Sequence, residues 1–143
     1  MFFQLNTRLY KNIMTEAFLA FYDTHHADID SHFCTKQIRD DAVFHNLKQL
    51  LEEKLHENLE SLQICMKELF DYGKENKKKE FPLMSYVNMS IMCVLANLHM
   101  NGHYTRKQCE DVYTNCAAYI KCPLWSAFDS YIQALYMENQ NQE

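Results

Sequence analysis

Glycine and proline are nearly absent, with two of each in 143 residues. A sheet-rich fold of this length needs more residues able to adopt tight-turn conformations, so the scarcity argues against one and favours long helices. Long apolar runs are missing too. The longest wholly apolar stretch, Ile91 to Ala96, is far too short to cross a bilayer, and Met1 to Tyr10 lacks the charged start and apolar core of a secretory leader. The expectation is a soluble, unsecreted chain with no membrane partner. Basic residues are not in excess either. A net charge of -5 argues against a general nucleic-acid sleeve, because counterion release needs clustered Lys and Arg, although a local basic patch remains open. Paired CxxC spacing is also lacking. Cys34, Cys65, Cys93, Cys109, Cys116 and Cys122 therefore read as reduced structural thiols in a cytoplasmic or nuclear protein.

What is present points to a packed domain. Hydrophobic residues make up 48% and aromatics 13%, more than a disordered chain carries. A chain of this length buries roughly two thirds of its unfolded surface. A single all-helical domain over 1–137 is expected, with 138–143 polar enough to fray.

Periodicity supplies the elements. Leu9, Ile13, Ala17, Ala20 and Phe21, with Tyr10, Met14 and Phe18 beside them, predict a helix from Asn6 to Tyr22. Its second half, Ala17 to Tyr22, is apolar all round, so that turn either sits deep in the fold or meets a partner chain. Asp23 to Ser31 breaks the pattern, and a short helix is conceivable around Asp28 to Cys34.

Leu47, Leu51, Leu55, Leu59, Leu62, Met66 and Leu69 predict a long helix from about Asp40 to Tyr72. Asp40 or Asp41 is its N-cap, Gly73 its stop, and a kink or loop is expected between Glu57 and Ser61. Lys74 to Glu80, KENKKKE, reads as a charged linker.

Pro82 to Lys121 is the best-punctuated stretch and reads as a helical hairpin. Pro82 opens its first helix, which is apolar over most of its circumference and therefore the most buried element, and Gly102 ends it. Thr105 and Gln108 match a capping box, starting a second helix to about Lys121 with Cys109, Val112, Tyr113, Cys116, Ala117 and Ile120 on its core face. Pro123 restarts a last helix through about Tyr136. The fold class is all-α, with antiparallel helical hairpins forming either a HEAT-like stack or a compact bundle of four to six helices.

The residues do not suggest chemistry. His99, His103 and Cys109 form the closest candidate metal set, with His25, His26, His32 and Cys34 as a looser one, but neither has the spacing of a structural zinc site. Cys109 stands beside Glu110 and Asp111, which disfavours a thiolate. Gly73 and Gly102 are isolated, so no phosphate loop is present. The expectation is a non-enzyme without metal or cofactor.

Three stretches, read together, resemble the middle-domain family of translation scaffolds, the HEAT-type stacks of eukaryotic initiation factor four gamma and the poly(A)-binding-protein-interacting proteins. They are FHNLKQLLEEKLHENLESL, Phe44 to Leu62, the KENKKKE linker, and VNMSIMCVLANLHMNGHYTRKQCEDVYTNC, Val87 to Cys116. Asn97 stands where that family carries an acidic residue. The resemblance implies an adaptor in mRNA translation or processing that contacts a helicase, a translation factor or a ribonucleoprotein, with RNA reached through a partner or a basic patch. Such a stack presents helix ends and inter-repeat loops, which makes Lys77, Lys78, Lys79, Tyr104, Arg106 and Lys107 its rim contacts. An uncovered end helix would offer Phe18, Phe21, Trp125 and Phe128 as a homodimer or partner seam.

A rival expectation is a helical-bundle regulator, an apoptosis-regulator-like or viral adaptor, with a groove for an amphipathic partner helix. Trp125 after Pro123 is its support. Regular side-by-side neighbours mark the stack, whereas one central helix wrapped on all sides marks the bundle.

Overall fold

The computed structural model describes residues 13–25, 42–120 and 124–141, and these described residues form six α-helices and one 3₁₀ turn. The helices are α1 (Ile13–His25), α2 (Ala42–Glu57), α3 (Leu59–Glu75), α4 (Lys77–Met100), α5 (Arg106–Asn115) and α6 (Leu124–Asn141), with the 3₁₀ turn at Ala117–Tyr119. No strand occurs among the described residues. The expected start at Asn6, the short helix at Asp28 to Cys34, the caps Asp40 and Asp41, and Pro123 lie outside the described residues. So do the side chains of Lys79 and Trp125.

The long second segment breaks inside the expected interval, Glu57 to Ser61, and is two helices. Asn58 is extended, and its side chain accepts a hydrogen bond from the Ser61 N–H at 2.8 Å, so it caps α3 and interrupts the ladder. The leucine stripe continues across the break, with Leu47, Leu51, Leu62, Met66 and Leu69 wholly buried. Burying each such side chain contributes about 1.5–3 kcal/mol.

Gly73 does not stop this helix. It lies inside α3, buried, and its backbone is not in the left-handed region. A Cβ there would stand 3.5 Å from Glu80 Cγ and 3.8 Å from Met84 Cγ of α4. Those are ordinary contact distances, so an alanine fits. Gly73→Ala is expected to stabilise the domain by about 0.5–1 kcal/mol, because it restricts the unfolded chain without straining the native one. A urea midpoint that falls would show that α3 and α4 pack more tightly than these distances say.

The KENKKKE stretch is not a linker. Lys74 and Glu75 close α3, Asn76 alone separates the helices, and Lys77 to Glu80 form the first turn of α4. Asn76 stops α3 by directing both its backbone N–H and its side-chain amide to the Tyr72 carbonyl, each at 3.0 Å. Pro82 accordingly lies inside α4 rather than opening it. The N–H it lacks would have met the carbonyl of exposed Lys78, which water can serve.

From Leu83 to Leu98 most of α4 is buried, including Leu83, Tyr86, Val87, Ile91, Leu95 and Ala96 with no exposure. The helix packs against α2, α3, α5 and α6, which makes it the hub of a bundle. Pro82–Met100 is long and apolar enough to cross a membrane by length and composition, but 67% of that stretch is buried inside the domain. Packing against four neighbours accounts for its apolar circumference.

The hairpin turn forms as expected. Gly102 adopts φ 77°, and the Leu98 carbonyl accepts from the N–H groups of His103 and Tyr104 at 2.9 and 3.1 Å. Thr105 and Gln108 complete a reciprocal capping box. The second helix is shorter than predicted. It ends at Asn115, whose side chain bonds the Asp111 carbonyl at 2.7 Å, and the chain tightens into the 3₁₀ turn. Ala117 is therefore exposed rather than on a core face. At the other end of the chain, α6 runs to Asn141, five residues past the predicted end.

Candidate functional site

The first helix does not bury the stripe its sequence suggests. Its buried residues are Thr15, Phe18 and Tyr22, while Ile13 is 81% exposed, Met14 is 42% exposed, and Ala17 and Ala20 are also exposed. A polar residue takes the core position because it has a partner there. Thr15 Oγ1 lies 3.5 Å from Cys65 Sγ of α3, and both are fully buried. At the far end of α1 the Tyr72 hydroxyl donates to the Asp23 carboxylate, a second tie to α3. Burial, and then that bond, raises the Tyr72 phenol above its ordinary range. Held in this rotation, α1 turns part of its apolar surface outward.

That surface forms one wall of an open groove of about 350 Å³. Met14, Ala17, Phe18 and Phe21 of α1 face Asn46, Gln49, Leu50 and Glu53 of α2. Phe21 is half-buried and fixed by stacking on His25, with ring centroids 4.1 Å apart. His25 is held in turn by a 2.8 Å contact from Nδ1 to the Phe21 carbonyl. The floor is apolar and the α2 rim is polar. On the opposite flank of α1 a smaller groove of about 170 Å³ is lined by Glu16, Leu19, Glu68, Asp71, Tyr72 and Glu75.

The residues picked out by sequence do not form one rim. Lys77 and Lys78 are exposed at the start of α4, whereas Tyr104, Arg106 and Lys107 follow its end. A helix of 24 residues separates the two groups by roughly 35 Å. Arg106 is engaged within the fold, with Nη1 and Nη2 on the Asp129 carboxylate at 2.7 and 3.2 Å. That fork joins α5 to α6, raises the arginine and holds the Asp129 carboxyl below the usual carboxylate range. Tyr104 is half-buried and Lys107 exposed.

Phe18 and Phe128 are corrected as open seam residues. Phe128 is wholly buried, edge-on to Tyr113 at 6.1 Å, and Phe18 is 5% exposed in the same core. Of the four aromatics proposed for that seam, Phe21 is the one whose described side chain lines the groove with appreciable exposure. Sequence reading missed Leu50, Gln49 and Glu53, although the all-round apolar turn at Ala17 to Tyr22 signalled that α1 carries more apolar surface than one core face uses.

The thiols are free and buried at Cys65, Cys93, Cys109 and Cys116. Burial pushes Cys65 and Cys116 up to about 11, and Cys109 also rises. At neutral pH such thiols are protonated and poor nucleophiles. Cys109 Sγ is directed to the Leu95 carbonyl at 3.7 Å, and His99 Nδ1 lies 3.0 Å from the Tyr104 carbonyl. Groups of three or more His, Cys, Asp or Glu able to hold a metal do not occur among the described residues, and His26, His32, Cys34 and Cys122 lie outside them.

The fold and the groove together define a class, a helical bundle with an open apolar cleft between its first two described helices. No protein-family model matches the chain, and no curated protein or solved structure matches it.

Proposed function

We propose that this chain is a non-enzymatic protein-binding domain whose α1–α2 groove receives an amphipathic helix of a partner protein. The carrying observation is the rotation of α1, which spends a core position on Thr15 and leaves Met14 and Ala17 on an open wall. An apolar floor with one polar border, at Asn46, Gln49 and Glu53, complements a helix with one apolar face. The hub position of α4 supports the bundle reading over a stack, in which each hairpin touches only its neighbours. Free buried cysteines fit a reducing compartment, cytoplasmic or nuclear.

The resemblance to translation scaffolds supports a second reading, an adaptor in mRNA translation or processing. The exposed Lys77, Lys78 and Lys107 favour it.

Affinity purification with mass spectrometry separates the two readings, using wild type, Ala17→Arg and a triple Lys77, Lys78, Lys79 to Glu variant. The groove reading expects a partner set lost with Ala17→Arg and kept with the lysine variant. Translation or ribonucleoprotein factors lost only with the lysine variant would move the function to the second reading. A partner set indifferent to Ala17→Arg would remove the groove.

A further inference from the structure

We infer that Asn88 accepts an N-linked oligosaccharide while the chain is unfolded, and that the glycan and the folded bundle exclude each other. Asn88-Met89-Ser90 is the one Asn-x-Ser/Thr acceptor motif in the sequence. Such motifs carry glycans on exposed, irregular chain, whereas this one lies in the middle of α4. Asn88 is 9% exposed and Ser90 wholly buried, and the helix that bears them packs against α2, α3, α5 and α6. Residues two apart on a helix point about 200° from one another, so the Asn88 amide and the Ser90 hydroxyl cannot be gripped together by a transferring enzyme. Before α4 forms, both groups are open to it.

The transfer joins Asn88 Nδ2 to the anomeric carbon of a lipid-linked oligosaccharide. The bond from that carbon to the lipid pyrophosphate breaks, the pyrophosphate leaves with the electron pair, and the amide gives up one proton. The product cannot take its place in the fold. Val87 and Ile91, which flank the motif, have no exposure, so seating α4 would draw sugar hydroxyls out of water with no partners to receive them. The core offers none, since Asn88 Oδ1 and Ser90 Oγ themselves have no hydrogen-bond partner there. The bundle therefore forms only where no such transfer takes place, a restriction reached independently of the buried thiols and of the groove.

The test places the full chain behind a cleavable secretory leader and translates it into microsomes, with dithiothreitol keeping the cysteines reduced. Glycan is read as a mobility shift that an endoglycosidase removes, and folding as resistance to limited proteolysis. The wild type is expected to carry one glycan and to be digested about tenfold faster than the leaderless chain, since cleavage follows the population of open chain. Ser90→Ala removes the acceptor motif together with a buried hydroxyl that has no partner, so in the same microsomes it should stay unmodified and as resistant as the leaderless chain. A glycosylated wild type that resists digestion overturns the exclusion. A wild type that stays unmodified, folded or not, overturns the acceptor role of Asn88. Ser90→Ala digested as fast as the glycosylated chain places the loss of fold elsewhere and overturns the inference.

Discussion

Tyr86→Ala is expected to destabilise the domain by about 3–5 kcal/mol, the range found when a buried aromatic is deleted. Tyr86 has no exposure, and its ring meets Phe44 of α2 edge-on with centroids 6.2 Å apart. Truncation removes the ring's transfer free energy and its aromatic pairing, and leaves a cavity that α2 and α4 cannot close without moving the leucine stripe beside it. A single domain carries about 5–15 kcal/mol in total, so the variant loses a large part of its margin. Thermal unfolding should shift down by roughly 10–20 °C. Ile64→Ala is the control, because Ile64 is 47% exposed and surface truncations usually change stability by about 0.5 kcal/mol or less. Comparable losses for the two variants would mean that α4 is not the hub of the fold.

That hub was legible because it depends on one strong signal. From Tyr86 to Met100 apolar residues occupy every side of the helix, a pattern that only burial on every side satisfies. The capping box at Thr105 and the left-handed Gly102 were legible for a similar reason, since each is a local arrangement with few alternatives. Gly73 was misread because a glycine after a long apolar stripe looks like a left-handed stop, whereas its backbone stays helical and the helix runs on to Glu75. A Cβ there would meet Glu80 and Met84 at ordinary contact distances, so neither a left-handed turn nor a close approach requires the glycine. The charged KENKKKE run was misread because seven polar residues look like solvent-exposed coil. The exposure of Lys74, Glu75, Lys77 and Lys78 is compatible with a helix end and a helix start divided only by Asn76.

The groove was the least legible part, and the reason is rotational. Helical periodicity finds a stripe on α1 but does not say which stripe faces inward when the helix has more apolar residues than one face needs. The bonds from Thr15 to Cys65 and from Tyr72 to Asp23 settle the rotation. They join residues about 50 positions apart in sequence, at separations of 50 and 49. No local window contains them.

Burial of Cys65 at the seam with α1, which outweighs the opposing bond from Thr15, also makes stability fall in mild alkali. Burial raises the Cys65 thiol from 9.0 to about 11, and Cys116, also fully buried, rises to about 11. Below pH 9 both thiols are protonated whether the chain is folded or not, so the contribution is fully present. Between pH 9 and 11 the unfolded thiols ionise and the folded ones do not, so each rise in pH favours unfolding. For Cys65 alone the loss amounts to about 2–3 kcal/mol by pH 11. The raised phenol of Tyr72 has the same sign, but its loss begins only above pH 10, the ordinary range of tyrosine. The interval from pH 9 to 10 therefore reports mainly on the thiols. Urea unfolding measured from pH 8 to 11 should show this decline, and Cys65→Ser should lessen its slope, leaving the part due to Cys116 and Cys109, while keeping an acceptor for Thr15. Serine does not titrate there, so the slope is the diagnostic quantity and the absolute stability of the variant is not. A wild-type slope near zero from pH 9 to 10 would mean that the α1–α3 seam is wet, and α1 would then be free to rotate its apolar side inward and close the groove.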